Sequence, residues 1–274
     1  MNHQMLSAPV TQENLARLAR RGFAVAPTQS GALACGEEGA GRMLEAEEIV
    51  SLLFREKLGR LLITGGATRE PIDGIRFLSN VSTGQTAATL ASALNDRGWQ
   101  VTYLHGAGAV TPLQVAHTQC FSTFQDLNDK LRAELGKEDY AGVIHCAAVS
   151  DYSVSDARPD IKLSSDQELS IRLTRNFKIL PRLKEYSRNK AMTVVGFKLT
   201  LGDDEDAMLA VARRALGPTV DAVVANDWQT VNADRSRHPG SLLRENALEK
   251  FSDLNSLSGL LHTLLLGGGH DTLS

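Results

Sequence analysis

The run Gly65-Gly-Ala-Thr-Arg-Glu-Pro-Ile-Asp-Gly74, followed by Asn80-Val-Ser-Thr-Gly84, has the composition of an anion site. Glycines let a ligand reach the backbone, and the unpaired N–H groups of a helix start draw a phosphate. The spacing does not fit a dinucleotide fingerprint: no G-x-G-x-x-G follows, and about fifteen residues separate the glycines from the next helix. A second segment, Cys146-Ala-Ala-Val-Ser-Asp151-Tyr152, places the small Ala147 and Ala148 where a ligand can approach closely. Asp151 there suits a ribose hydroxyl or a magnesium ion. Cys146 reads as a core thiol rather than a nucleophile. His145 reads as packed within its strand, because no second His or carboxylate motif marks a metal site. Basic residues form a third group: Lys162, Lys178 after Asn176-Phe177, and Arg213 with Arg214. Each alone is a solvated charge; together on one side of a sheet they neutralise a triphosphate.

These segments need a scaffold, and the apolar runs supply one. Arg60 to Thr64, Gln100 to Leu104, Gly142 to Cys146, Thr193 to Phe197 and Asp221 to Ala225 read as buried strands. Helices are expected over Ser82 to Arg97, stopped at Gly98, and near 124–135 and 203–216. Strands alternating with helices predict an α/β fold, a Rossmann-like doubly wound and mainly parallel sheet. Residues 151–175 break the rhythm. Their alternation, clearest in Glu168 to Thr174, predicts an inserted antiparallel arm added to the sheet. Ahead of residue 58 lie a helix over 12–21 ended by Gly22, a brief strand at Phe23 to Ala26, a glycine-rich loop from Gly31 to Gly41 and a helix over about 44–57. In open parallel sheets ligands bind beyond the carboxyl ends of the strands, which selects the loops after Thr64, Cys146, Phe197 and Ala225.

Composition narrows the function classes. The 274 residues, with 29 Lys+Arg against 32 Asp+Glu, exclude a dedicated polycation for nucleic acid. Aromatic residues at 5% argue against a stacking platform for single strands. Three separated cysteines, Cys35, Cys120 and Cys146, fit a reducing compartment better than a disulfide framework. No basic-then-apolar leader and no run of about 18 apolar residues is visible, so a cytoplasmic protein without membrane contact is expected.

The ordered motifs resemble phosphopantothenoylcysteine synthetase, the phosphopantothenate–cysteine ligase that forms the C-terminal part of a bifunctional bacterial flavoprotein of coenzyme A biosynthesis. Thr64 to Asp73, Arg76-Phe-Leu-Ser-Asn80-Val-Ser-Thr-Gly84, Cys146 to Tyr152, Val195-Gly-Phe-Lys-Leu-Thr200 and Ala225-Asn-Asp227 match that family in order, so that residues 58–274 form the synthetase domain. Residues 1–57 resemble the end of phosphopantothenoylcysteine decarboxylase, through Met1 to Met5, Thr11 to Leu15 and Ala34 to Met43, with Cys35 as that enzyme's proton-donating loop cysteine. The likeness starts inside the first decarboxylase motif, so this chain is expected neither to bind FMN nor to decarboxylate; a yellow, CO2-releasing preparation would contradict that.

The resemblance implies that the phosphopantothenate carboxylate attacks the α-phosphate of a nucleotide, CTP in bacterial members and possible with ATP, assisted by Mg2+. Cysteine then displaces CMP from the acyl-cytidylate. It implies Asn80 and Lys162 as catalytic groups, Asn80 orienting the acyl-nucleotide and Lys162 stabilising charge on the phosphorus. Nucleotide binding falls to Cys146, Ala147, Ala148, Asp151, Lys162, Asn176, Phe177, Lys178, Phe197 and Arg214. Substrate binding falls to Gly65, Gly66, Asn80, Ser82, Thr83, Gly84 and Ala148. A homodimer with the site near its interface is implied as well, and no protein-held metal. Three departures stand out: Phe177 replaces a proline, Pro159-Asp-Ile-Lys162 lacks the lysine before Ile161, and the two lysines ahead of the last strand map to about Arg214 and Pro218. They keep open a catalytically weakened scaffold. A NAD(P)-dependent reductase is a further alternative, for which Tyr186 with Lys190 is the one Tyr-x-x-x-Lys match.

Overall fold

A computed structural model describes residues 2–21, 23, 25–32, 38–53, 58–112, 115–166, 168–233 and 238–267. The chain opens with α1 (His3–Ser7), capped by the Asn2 side chain, then α2 (Pro9–Arg20), the hairpin β1 (Gln29–Ala32) and β2 (Glu38–Arg42), and α3 (Ala46–Leu53). The glycine-rich stretch is therefore a β-hairpin and not a plain loop, pairing Gly31 with Gly39. Phe23 and residues 25–28 are not in a strand, and Cys35, Gly22 and the end of the expected second helix lie outside the described residues.

From β3 (Arg60–Gly65) the chain builds the main body. It continues through β4 (Arg69–Pro71), β5 (Phe77–Ser79), α4 (Gln85–Asp96), β6 (Gln100–Gly106), β7 (His117–Phe121), α5 (Phe124–Lys137) and β8 (Tyr140–His145). Then follow β9 (Tyr152–Val154), β10 (Leu173–Arg175), α6 (Leu183–Tyr186), β11 (Thr193–Thr200), α7 (Glu205–Arg213), β12 (Ala222–Asp227), α8 (Trp228–Ala233), β13 (Gly240–Arg244), β14 (Ala247–Phe251) and α9 (Leu254–Leu265). An eight-stranded sheet runs in the order β14-β13-β12-β11-β8-β3-β6-β7. The pairs from β7 to β12 are parallel, and β13 and β14 close one edge antiparallel.

The central strands are apolar throughout because both faces are covered, as a parallel sheet demands. On one face Leu61, Ile63, Ile144, Val195 and Val224 pack with Leu90 and Leu94 of α4 and Leu257 and Leu261 of α9. On the other, Leu62, Val143, Val194 and Val223 meet Leu127, Leu131 and Leu135 of α5 with Leu183 and Met208. The chain turns right from β3 to β6 and β7, then returns to place β8 on the left of β3. The switch point for ligand binding thus lies between the ends of β3 and β8.

The arm differs from expectation. β9 and β10 pair antiparallel as a separate two-stranded ribbon, in register from Leu173–Val154 to Arg175–Tyr152, and do not join the main sheet. Of the alternating run Glu168 to Thr174 only the end from Leu173 finds a partner strand; Glu168 to Arg172 is exposed and forms none. Helix α4 starts at Gln85 rather than Ser82, since Gly84 takes a left-handed φ of 75°.

Candidate functional site

Threonines fasten the two switch-point loops to each other. The Thr64 hydroxyl accepts the Ala147 N–H at 3.2 Å and lies 2.9 Å from His145 Nδ1. Cys146 N–H donates to the Thr64 carbonyl at 3.2 Å, Ala148 N–H to the Gly66 carbonyl at 2.8 Å, and Ser150 N–H to the Thr68 hydroxyl at 2.9 Å. The amide N–H groups of Cys146, Ala147 and Ala148 are consequently spent inside the fold. What this loop offers a ligand is small side chains and close approach, not free donors. Burial pushes the Cys146 thiol up to about 12, and the half-buried side chain packs at the edge of the core on the α4 face.

The Thr64 hydroxyl thus accepts from Ala147 while lying against His145 Nδ1, which fixes the buried ring between the two loops. Burial lowers its pKa from 6.5 to about 4. A histidine that must stay neutral opposes folding once the unfolded chain takes up its proton. Stability is therefore full above pH 6.5 and falls as pH drops toward 4, by roughly 3 kcal/mol. His145→Asn, which keeps an acceptor toward Thr64, is expected to flatten that part of a plot of urea midpoint against pH; an unchanged slope would contradict it.

Glycines in the first motif serve close packing. Gly66, at φ 80°, would place a Cβ 2.6 Å from Ala109 Cβ and 3.0 Å from the Gly106 nitrogen. A Cβ on Gly84 would lie 3.1 Å from the Gly66 nitrogen, so α4 begins against the end of β3. Gly66→Ala combines a left-handed non-glycine backbone with a clash against backbone, and costs about 1–3 kcal/mol or more of stability. Urea unfolding reads this directly, and a midpoint equal to the parent's would refute it.

Beyond these loops the structure gathers several of the expected residues. Lys178 pairs with Asp151. Asn176 donates from Nδ2 to the Ser150 carbonyl at 3.1 Å, accepts the Ser153 hydroxyl at 3.0 Å, and receives its place from Asn176 N–H on the Asp151 carbonyl at 2.8 Å. Phe177 lies edge-on to Phe124 at 4.9 Å, under the Arg182 guanidinium at 3.9 Å. Asn80, exposed, donates to the Val149 carbonyl at 3.3 Å and so sits over the loop after β8. Thr83 accepts Val110 N–H through its carbonyl, and Ser82 is half-buried beside it. Phe197 is half-buried on the α4 face, one step beyond the last residue of β11 paired with β8. Lys162 is exposed and has no hydrogen bond or ion pair among the described residues.

Arg214 is not among the gathered residues. It caps the end of α7, and the following loop enters β12 after Asp221 N–H meets the Val194 carbonyl at the start of β11. That is the edge where strands begin, opposite the switch-point loops, so Arg214 stands apart from the residues gathered there. Tyr186 and Lys190 are likewise occupied: the Tyr186 hydroxyl donates to Asn128 at 2.8 Å and Lys190 Nζ to the Lys184 and Glu185 carbonyls. Neither is free to act as a reductase pair.

Several buried polar side chains were not singled out from the sequence. Glu70, 3% exposed, accepts Phe124 N–H at the start of α5 and the Ser153 hydroxyl of β9, at 2.8 and 2.9 Å. Asp73 accepts N–H groups of Ile75, Arg76 and Leu163 and the Arg76 guanidinium. The Arg76 backbone N–H above all, with those partners, holds its carboxyl far below the usual carboxylate range against the effect of burial. Their motif was visible, but its long-range partners were not. Among the described residues no group of three His, Cys, Asp or Glu side chains could hold a metal ion, and no helix is long and apolar enough to cross a membrane.

A doubly wound sheet with polar loops crowded at its switch point defines a Rossmann-type α/β protein. The chain belongs to the DNA/pantothenate metabolism flavoprotein C-terminal domain family, whose model matches residues 57–254; a flavoprotein model matches residues 1–57. The coenzyme A biosynthesis bifunctional protein CoaBC of Haemophilus influenzae is 35% identical over 263 residues, covering 92% of this chain and 61% of that one. Its counterpart from Escherichia coli K12 is 32% identical over 238 residues, covering 83% of this chain and 57% of that one. The chain thus spans about three fifths of the length of these curated relatives. Among solved structures, the DNA/pantothenate metabolism flavoprotein from Streptococcus pneumoniae superposes with a TM-score of 0.68 at 25% identity, covering 77% of this chain and all of that one. A Cab2 mutant in complex with phosphopantothenate-cysteine shares the fold, with a TM-score of 0.63 at 17% identity over 98% of this chain and 100% of that one.

Proposed function

We propose that residues 58–274 form a phosphopantothenate–cysteine ligase domain and that residues 1–57 are a tail like the end of a decarboxylase domain. The observation that carries the reading is the convergence of Asp151, Asn176 and Lys178 with Asn80 on the loop after β8, at the switch point of the sheet. Membership of a pantothenate-metabolism family supports the substrate class.

The reaction has two steps. A carboxylate is a poor electrophile, so an oxygen of the phosphopantothenate carboxylate attacks the nucleotide α-phosphorus and pyrophosphate leaves. The cysteine amine then attacks the acyl carbon of the acyl-cytidylate, loses a proton, and expels CMP to give the amide. Both steps gain from fixed charge and alignment. Lys162 meets the charge on phosphorus; Lys178, held by Asp151, faces the nucleotide phosphates; Asn80 aligns the acyl-nucleotide. Mg2+ travels with the nucleotide, and Asp151, exposed and paired with Lys178, is a carboxylate in these loops suited to it. CTP is the nucleotide in this reading and ATP its competitor. Neither step asks a nucleophile of Cys146, whose thiol burial pushes up to about 12.

The dimer belongs to the same reading. Ile75, Phe77 and Val81 flank Asn80 with 64, 47 and 81% of their surface exposed, an apolar edge suited to a second copy, and sedimentation analysis reads the association state. The activity test supplies phosphopantothenate, cysteine, Mg2+ and either CTP or ATP. Pyrophosphate release with CTP supports the reading, release only with ATP corrects the base, and release with neither favours a scaffold.

A further inference from the structure

We propose that Asp73 is a positioning residue for Lys162: its carboxylate, with Arg76 and the backbone of Gly74, fixes residues 158–163 so that the lysine is held toward the reacting phosphate. This rests on the ligase reading of Lys162.

Most residues from Ser155 to Arg172 are exposed, so packing does little to place Lys162. The turn between β4 and β5 does the placing. Asp73 Oδ1 accepts the N–H groups of Ile75 at 2.9 Å and Arg76 at 2.7 Å, which shapes the turn. Its Oδ2 accepts Arg76 Nε at 2.8 Å and, across the sequence, Leu163 N–H at 3.2 Å. Arg76 Nη2 lies 2.6 Å from Asp73 Oδ2 and donates to the Leu163 carbonyl at 2.7 Å. Gly74 N–H donates to the Ile161 carbonyl at 2.7 Å, and Arg158 N–H to the Ile72 carbonyl at 3.0 Å. Both neighbours of Lys162 are therefore pinned by backbone hydrogen bonds, while its own side chain stays exposed and without a partner among the described residues.

Two features say that this is a built clamp. The Asp73 side chain has no exposed surface, although a buried carboxylate is costly unless its geometry is fully satisfied. Gly74 is also required: a Cβ there would lie 2.9 Å from the Pro159 carbonyl oxygen and 3.3 Å from that of Ile161. Only a residue without a side chain lets the lysine segment lie against the turn. The arrangement gives Lys162 a fixed origin and a free ammonium, which is what charge stabilisation in a transition state needs.

The test measures pyrophosphate release in a single turnover by the full chain, with phosphopantothenate and the Mg2+–nucleotide. Asp73→Asn keeps the turn-shaping acceptor but turns an amide N–H₂ toward Leu163 N–H and Arg76 Nε. Gly74→Ala leaves every charge in place and has no left-handed backbone to strain, so it keeps the fold if Asp73→Asn does not. Each is expected to slow the maximal single-turnover rate at least tenfold, with the nucleotide concentration that gives half of that rate changed less than twofold. Combined with Lys162→Ala, neither is expected to slow release further, because the lysine they position is gone. Wild-type rates in both clamp variants, or losses that multiply with that of Lys162→Ala, would overturn the positioning role. A wild-type rate in Lys162→Ala alone would instead overturn the ligase reading of the lysine, and the clamp's role with it.

Discussion

Lys162→Ala is expected to lower the rate of pyrophosphate release by about 10²–10³-fold, the loss typical when one preorganised charge-stabilising group is removed. The attack of a carboxylate on a triphosphate concentrates negative charge on the phosphoryl oxygens as the leaving pyrophosphate departs. A cation fixed beforehand needs no reorganisation at that moment, whereas water must turn to meet the charge. Lys162 suits this role because its backbone is pinned on both sides by the turn at Asp73 to Arg76 while its ammonium carries no ion pair. Its exposure also makes the experiment clean. An exposed side chain without partners contributes about 0.5 kcal/mol or less to stability, so the urea midpoint is expected to stay where it was. Rapid-quench measurement of pyrophosphate, with nucleotide above saturation, isolates the step. Release at the parental rate would remove Lys162 from the mechanism.

Asn80→Ala is expected to separate the two half-reactions. Pyrophosphate should still appear in a burst of about one equivalent per site, while amide formation slows by about 10²-fold and acyl-cytidylate accumulates. Asn80 Nδ2 donates to the Val149 carbonyl, which fixes the side chain over the loop after β8 and leaves Oδ1 as an acceptor at the surface. An acceptor there can align the acyl-nucleotide and hold an N–H of the incoming amine, work that matters only after the nucleotide has been attached. Loss of one exposed hydrogen bond leaves the fold intact, so a burst without product is a kinetic result and not a folding one. Equal loss of both steps, or none in either, would contradict the assignment of Asn80.

The parallel core was legible because its strands are continuous apolar runs. Leu61 to Ile63, Val143 and Ile144, and Ala222 to Ala225 are buried on both faces and stand out against polar loops. The hairpin of β4 and β5 was not legible. Its three-residue strands carry Arg69, Glu70 and Ser79, and its meaning lies in a carboxylate that reaches Leu163, far along the chain. The edge hairpin of β13 and β14 turns through Glu245 and Asn246, without the Asn-Gly or Asp-Gly pair that announces a tight turn. Asn80, Asp151, Asn176 and Lys178 could be singled out in the sequence because they sit in ordered motifs. A motif gives position along the chain and not across the sheet: the direction of α7 puts Arg214 at the edge where the strands begin. The glycines of the first motif were read for ligand approach, yet Gly66 and Gly84 are needed first for the packing of α4 against β3.

Whether carboxylate activation and amide formation occur on one site is read most directly by a single turnover followed by mass spectrometry. The chain is mixed with phosphopantothenate, Mg2+ and CTP without cysteine, and cysteine is added afterwards. A phosphopantothenoyl cytidylate with one equivalent of pyrophosphate is expected in the first stage. Its conversion to phosphopantothenoylcysteine and CMP follows in the second. Pyrophosphate release that does not depend on phosphopantothenate, or a first stage with no acyl-nucleotide from either CTP or ATP, would contradict it.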